Sequence, residues 1–407
     1  MSASRPLRVA VIAGEESGDL LGADLCRALE ASSGGPIELF GVGGRHLATL
    51  GLDTMFDPSA IALMGATAVI KDLPRLLVRI STTAKAIVAA KPDCLITIDS
   101  PEFTLRVAKK VRARNPDIPI IHYVCPSVWA WRPERAPAMR ACVDHVLCIL
   151  PFEAAALKRL DGPPGTYVGH RLVYEPGVLH AARHQANRRK PSPVEDKTLL
   201  VLPGSRRSEV SGLIKTFGET VDILYERGRT LRVLIPTVPH VAEMVEKATA
   251  KWPAAPEIIL DPARKWQAFG EADAALAASG TVSLELALCR VPLVSCYRSD
   301  RLMRLMTHLI TTWSGALPNL IADRALVPEY YDTTIRPGLL ARQMEQLMTP
   351  DSDARMLQLN GFADVARRMA TKRRPGTAAA EIVLRYIRGR GKPSTDRWTP
   401  PPSPGQQ

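Results

Sequence analysis

The run PDCLITIDSPEF at 92–103 constrains the fold of this chain more than any other stretch. Residues 94–98, CLITI, are apolar and rich in β-branched side chains without alternation, which suits a strand buried on both faces of a parallel sheet. The run stops at Asp99, and Ser100-Pro101 follows, where proline ends the ladder and forces a loop. Ligands of open α/β sheets bind outside the carboxyl ends of the strands, so a carboxylate there is a candidate for chemistry. An aspartate in this place can equally cap the helix that begins near Phe103. Both readings stand at this point.

The same pattern recurs along the chain. Strands are predicted at 7–13, 37–42, 118–124, 143–149 and 165–168, with helical spacing between them, as at 78–90. A second series follows, with strands at 198–202, 231–236, 257–260, 274–278 and 291–296 and helices at 208–226 and 282–288. Strands separated by helices imply βαβ units and a mostly parallel sheet. Between the series, 175–197 carries Arg188-Arg189-Lys190 and three prolines without a sustained apolar period, and reads as a link. A chain of 407 residues is too long for one ordinary core. The predicted fold is therefore α/β, with two Rossmann-like domains whose mostly parallel sheets face a central cleft. Their bounds are 1–174 for the first domain, 175–197 for the linker and 198–375 for the second. A C-terminal helix at 376–390 can pack back on the first domain, and 391–407, rich in proline, serine and glycine, is predicted to be disordered.

Composition narrows the partners. Hydrophobic residues at 46% and charged residues at 23% fit a soluble globular protein. The net charge of +12 favours an anionic partner: a phosphorylated ligand, an acidic membrane surface or nucleic acid. Aromatics are only 5% and no basic run interleaves with them, so nucleic acid fits worst and is not expected. The seven cysteines are odd in number and lack CxxC spacing. They read as free thiols of a cytoplasmic protein, with no disulfide framework and no metal site. No segment has the length of a membrane-spanning helix. Two stretches are either core helices or interfacial ones: 61–77, which includes Met64, and 301–310, with Leu302, Met303 and Met306 beside Arg301 and Arg304.

Two turns in the second series suit phosphate. Gly204-Ser205-Arg206 lies between a strand and a helix, where backbone amides and a guanidinium meet an anion. Ser279-Gly280-Thr281 repeats that geometry, with Glu285 about one helical turn on, either accepting ribose hydroxyls or on a solvated face. The first turn, AGEESGD at 13–19, is not a G-x-G-x-x-G fingerprint. Its acidic groups suit sugar hydroxyls, or a helix cap built from Ser17 and Asp19. In HYVCPSVWAWR at 122–132 the two tryptophans form a ligand wall or a buried aromatic loop, and His122 reads as a core histidine.

Together, AGEESGD, PDCLITIDSPEF, HYVCPSVWAWR, LPFE at 150–153, VGH at 168–170, LPGSRRSEV at 202–210, ASGTVSLE at 278–285 and LPNLIA at 317–322 resemble the lipid-A-disaccharide synthase family. The blocks keep the family's order from about Val9 to Ala322, and SVWAWR and IDSPEF are the most specific of them. The resemblance implies a GT-B fold and an inverting, metal-independent UDP-sugar glycosyltransferase with no cofactor, acting in lipid A biosynthesis. Its implied partners are UDP-2,3-diacylglucosamine, 2,3-diacylglucosamine 1-phosphate (lipid X) and the phospholipid surface of the inner membrane. The protein would be cytoplasmic and peripheral on that membrane, with a homodimer left open. By the same resemblance Asp99 falls on the catalytic base, and Glu15, Ser17 and Asp19 on the first-loop motif. Gly204, Ser205, Arg206, Ser279, Gly280, Thr281, Glu285 and Asn319 fall on donor-side motifs. Glu16 departs from the family, which often has a small residue there. Another UDP-hexosamine enzyme of this fold, a soluble transferase or epimerase, is the alternative.

Overall fold

The computed structural model describes residues 5–62, 69–188, 196–253, 255–299 and 309–389. Met64, Leu302, Met303, Met306 and the tail 391–407 lie outside them. A seven-stranded sheet runs in the order β3-β2-β1-β4-β5-β6-β7, and a six-stranded sheet in the order β10-β9-β8-β11-β12-β13. The strands that matter for function are β1 (Leu7–Ala13), β4 (Cys94–Ile98) and β5 (Ile120–Tyr123) in the first sheet. In the second they are β8 (Lys197–Leu202), β11 (Ala274–Ala278), β12 (Leu293–Tyr297) and β13 (Glu329–Tyr331). β1 pairs in parallel with β4, β8 with β11, and β12 with both β11 and β13.

The apolar runs behave as their sequences require. All five residues of β4 and all five of β11 are buried. In β8, Leu200 and Leu202 enter one core cluster while Leu199 and Val201 enter another, and in β11 Ala275 and Ala277 part likewise from Ala274, Leu276 and Ala278. Helices cover both faces, so an unbroken apolar strand suits each position.

The chain divides into two compact units, residues 1–123, 141–145 and 376–407 in one, and 124–140 and 146–375 in the other. In both sheets the strand order reverses beside the first strand of the series, between β1 and β4 and between β8 and β11. Such switch points leave an open crevice at the carboxyl ends of the two strands. Asp99 follows β4 directly, and the two small-residue turns follow β8 and β11. The topology thus selects the same turns that the sequence marks.

Two elements were not foreseen. Residues Pro176–Asn187 form a helix inside the stretch read as a link. It buries only Val178 and Ala181, and is otherwise held by side-chain bonds to backbone carbonyls. His184 Nδ1 meets Gly270 O at 2.9 Å, and Gln185 donates to Phe269 O and Ala272 O. A helix fastened this way has no apolar stripe to read. Strand β13 has three residues, too few for a periodic signal.

All seven cysteines are free and buried. His122 is a core residue, with Nδ1 2.8 Å from Thr97 Oγ1, and burial pulls its pKa down to about 4. No described helix is long and apolar enough to cross a membrane.

Candidate active site

The site is built first at the end of β4. Asp99 and Ser100 have φ of 51° and 43°, a left-handed pair without glycine. Side chains adopt this region at a cost on the order of 1 kcal/mol each, and it is held only where surroundings fix it. Here they do. The Asp99 amide donates to Tyr123 O (3.0 Å), and the Thr104 hydroxyl to Asp99 O (2.7 Å) and Ser100 O (3.0 Å). The kink ends the strand and starts the helix Pro101–Arg114, whose N-cap is Ser100, without a side-chain cap bond. The capping role for Asp99 is therefore not the one it plays. Its Oδ1 accepts only the adjacent Ser100 amide, at 2.8 Å, and among the described residues Oδ2 accepts no hydrogen bond.

Asp99 opens onto a cavity of about 210 Å³ that Glu15, Ile61, Ser100, Glu102 and Phe103 also line. Gly14 is needed beside it, since a Cβ there would lie 2.5 Å from Ile61 Cγ2 and 3.0 Å from Ser100 Oγ. Glu15 thus shares the cavity with Asp99. Ser17 is exposed. Asp19 is buried, and its carboxylate takes the amides of Gly44 and His46 (2.7 Å each) and Leu47 (3.3 Å). It caps the short helix Arg45–Ala48, distant in sequence, and not its own helix.

The second unit carries two turns of different character. At the end of β8, Gly204 has φ 118°. The amides of Ser205 and Arg206 are engaged by Glu209 Oε2 at 2.9 and 3.2 Å, and the Arg206 guanidinium bonds Oε1 of the same residue (2.8 Å). The anion expected at this turn is thus mimicked by a carboxylate of the chain. The spacing Arg206-x-x-Glu209, a capping-box pattern, was the available signal. The Arg206 side chain is 79% exposed.

At the end of β11 the turn is open. Ser279 N donates to Cys296 O (2.8 Å). Gly280, at φ 151°, begins the helix Thr281–Leu288, and a Cβ on it would meet nothing within 4 Å. The amides of Gly280, Thr281 and Val282 make no hydrogen bond among the described residues, which leaves the positive end of the helix facing empty space. Glu285, on the next turn, has a side chain only 17% exposed and accepts from Lys265 Nζ at 2.7 Å, so it is not a solvated face.

Asn319 is buried and fully engaged. Its Oδ1 accepts from Leu326 N and Val327 N at 2.8 Å, and Nδ2 donates to Val327 O, Ser314 Oγ and Glu329 Oε2. The aromatic loop divides. Trp129 stands edge-on to Phe152 at 5.0 Å and points Nε1 at Glu153 Oε1 (3.4 Å), against the core. Trp131 lies under the Arg132 guanidinium at 4.4 Å and pairs its backbone with Ile310. Glu209, Glu329 and Glu153 are the polar anchors that the sequence left unmarked.

A family model described as Lipid-A-disaccharide synthetase matches residues 9–381. Lipid-A-disaccharide synthase of Nitrobacter winogradskyi is 44% identical over 95% of this chain and 97% of its own length. That of Rhodospirillum centenum is 42% identical over 94% and 95%. Among solved structures, MnaA of S. aureus with UDP superposes with a TM-score of 0.58 at 14% identity, covering 94% of this chain and 96% of that one. MurG of Acinetobacter baumannii gives 0.55 at 13% identity, over 93% and 100%. These two likenesses establish a GT-B-like fold. With the sequence identities and the match over nearly its whole length, the chain belongs to the lipid-A-disaccharide synthase family, glycosyltransferases of lipid A biosynthesis.

Proposed function

We propose that this chain transfers the 2,3-diacylglucosaminyl group of UDP-2,3-diacylglucosamine to the 6-hydroxyl of 2,3-diacylglucosamine 1-phosphate, lipid X. The products are the β-1,6-linked disaccharide 1-phosphate and UDP. The observation that carries the chemistry is Asp99, a carboxylate held on a strained strand end, with Oδ2 unbonded, on a cavity it shares with Glu15. The acceptor oxygen attacks the anomeric carbon as the bond from that carbon to the UDP oxygen breaks, and its proton passes to Asp99. This is the base role of a carboxylate in inverting sugar chemistry.

Glu15 hydrogen-bonds sugar hydroxyls in the same cavity, and Ser17 offers its hydroxyl at the rim. Asp19 shapes the loop by fixing Gly44 and His46. The open amides after Ser279 and the exposed Arg206 guanidinium receive the diphosphate, whose charge grows as it leaves. Glu285, with one oxygen on Lys265, turns the other to the ribose.

The acyl chains imply a bilayer. A groove of about 610 Å³ is lined by Leu77, Ile80 and the cations Arg106, Lys109, Lys110 and Arg114. Leu77 and Val78 are 47% and 60% exposed. Apolar side chains ringed by cations suit an anionic phospholipid surface, on which the enzyme rests peripherally.

The test is turnover of the two lipids. Asp99→Ala lowers it by on the order of 10² to 10⁴, while UDP still binds by calorimetry. Turnover near that of the unaltered enzyme overturns the assignment. UDP release from UDP-N-acetylglucosamine at a comparable rate would instead indicate a soluble UDP-hexosamine enzyme.

A further inference from the structure

We propose that Glu329 is a positioning residue for the nucleoside diphosphate, acting through the loop 310–316. The proposal rests on the reading of the Ser279 turn as the diphosphate site. Glu329 begins β13, in register with Ser295 of β12, and four donors converge on its carboxylate. The Gly315 amide and the Tyr331 hydroxyl bond Oε1 at 2.9 and 2.6 Å. The Ser314 hydroxyl donates to Oε2, which also accepts from Asn319 Nδ2 at 3.2 Å. Hydrogen bonds to an ionised acceptor are about twice as strong as neutral ones. One side chain therefore gathers the end of a loop that has no regular structure of its own.

What the loop touches gives this clamp its consequence. At one end Thr311 N donates to Ala130 O (2.9 Å) and Ile310 pairs with Trp131, tying it to the SVWAWR segment. At the other end Gly315 lies against the diphosphate turn. A Cβ built on it would stand 3.0 Å from Tyr331 Oη, 3.3 Å from Glu329 Oε1 and 3.4 Å from Ser279 Oγ. Ser279 is thus held between Gly315 on one side and, through its amide, Cys296 O on the other. The open amides of Gly280, Thr281 and Val282 are aimed by a turn that Glu329 helps to fix. Asn319 belongs to the same device, since it binds Glu329 and the 326–327 backbone at once.

Glu329→Gln separates this role from simple support. The amide keeps one acceptor oxygen but turns an NH₂ toward the Ser314 and Asn319 donors, which releases one side of the loop. We expect the UDP dissociation constant by calorimetry, and KM for the UDP-sugar, to rise on the order of tenfold, as for a loss of one well-made polar contact. KM for the acceptor stays unchanged. Tyr331→Phe, which keeps the Gly315 bond, gives a shift of about two- to threefold in the same direction. Gly280→Ala, forced to hold φ 151° with a side chain, tests the underlying reading. If Gly280→Ala weakens UDP and neither Glu329→Gln nor Tyr331→Phe does, the Glu329 proposal is overturned while the diphosphate site stands. If folded Gly280→Ala binds UDP normally, the site reading falls and takes the proposal with it. A drop in melting temperature for Glu329→Gln with UDP affinity unaltered marks a purely structural residue and also overturns the proposal. If Glu329→Gln does not fold, Tyr331→Phe decides by the same measurement.

Discussion

Glu153 sits in the core with its carboxylate turned to the amides of Ile149 and Leu150, both at 2.9 Å, and to the Trp129 indole. Burial outweighs those bonds and pushes its pKa up to about 7 from the usual value near 4.5. The sign of the consequence follows from proton counts. Between pH 4.5 and 7 the folded state keeps a proton that the unfolded chain gives up, so stability falls as pH rises through that window and the loss is complete above it. Glu153→Gln abolishes the titration. The stability of this variant relative to the unaltered protein should therefore rise by on the order of 3 kcal/mol between pH 4.5 and 8. Urea unfolding at both pH values measures it, and a flat difference would show that Glu153 is ionised in the folded state throughout. Residues of this kind explain the limits of sequence reading. Asp99 was legible because a proline and an apolar run frame it. Glu153, Glu209 and Glu329 were not, because each acts on backbone amides or a loop whose proximity only the fold creates. Asn319 was legible as a motif but not as the centre of a backbone network.

At the scale of elements, the strand runs identify themselves. β1, β4, β9 (Leu231–Pro236) and β11 have the bounds their apolar runs predict, because a strand covered on both faces must be apolar at every position. The helix Pro176–Asn187 hid because its contact surface is a glycine and polar side chains. Gly177 lets it approach Trp266 so closely that a Cβ would lie 2.0 Å from the indole Cδ1. Trp266 in turn stands edge-on to Phe269 at 5.5 Å and carries Lys265 over its face at 4.4 Å, so the ring has little freedom to retreat. Gly177→Ala should then destabilise the protein by about 1–3 kcal/mol, the usual range for overpacking. An unchanged denaturation midpoint would mean that the helix shifts as a body without loss. Because Lys265 also holds Glu285, the same substitution should weaken UDP binding.

At the scale of the molecule, charge and apolar exposure meet on the groove between the helices Val69–Ala90 and Pro101–Arg114. The net charge of +12 supplies a long-range attraction to any anionic surface, but it is diffuse and screened within about 10 Å at ordinary salt. A local ring of cations beside exposed Leu77 and Val78 converts that attraction into a defined orientation. Each lysine or arginine near an anionic bilayer contributes about 1 kcal/mol, and the apolar side chains add a term that salt does not weaken. Lys109→Gln with Lys110→Gln should therefore weaken binding to vesicles of mixed zwitterionic and anionic phospholipid by about 2 kcal/mol, near thirtyfold. Leu77→Ser with Val78→Ser should weaken binding equally in high and low salt. Sedimentation with vesicles at two salt concentrations separates the two contributions. UDP affinity should not move in either pair, since neither lies at the Ser279 turn. Binding unaffected by both pairs would place the membrane contact elsewhere on the chain, and binding lost only with the serine pair would make the groove an apolar anchor without an electrostatic role.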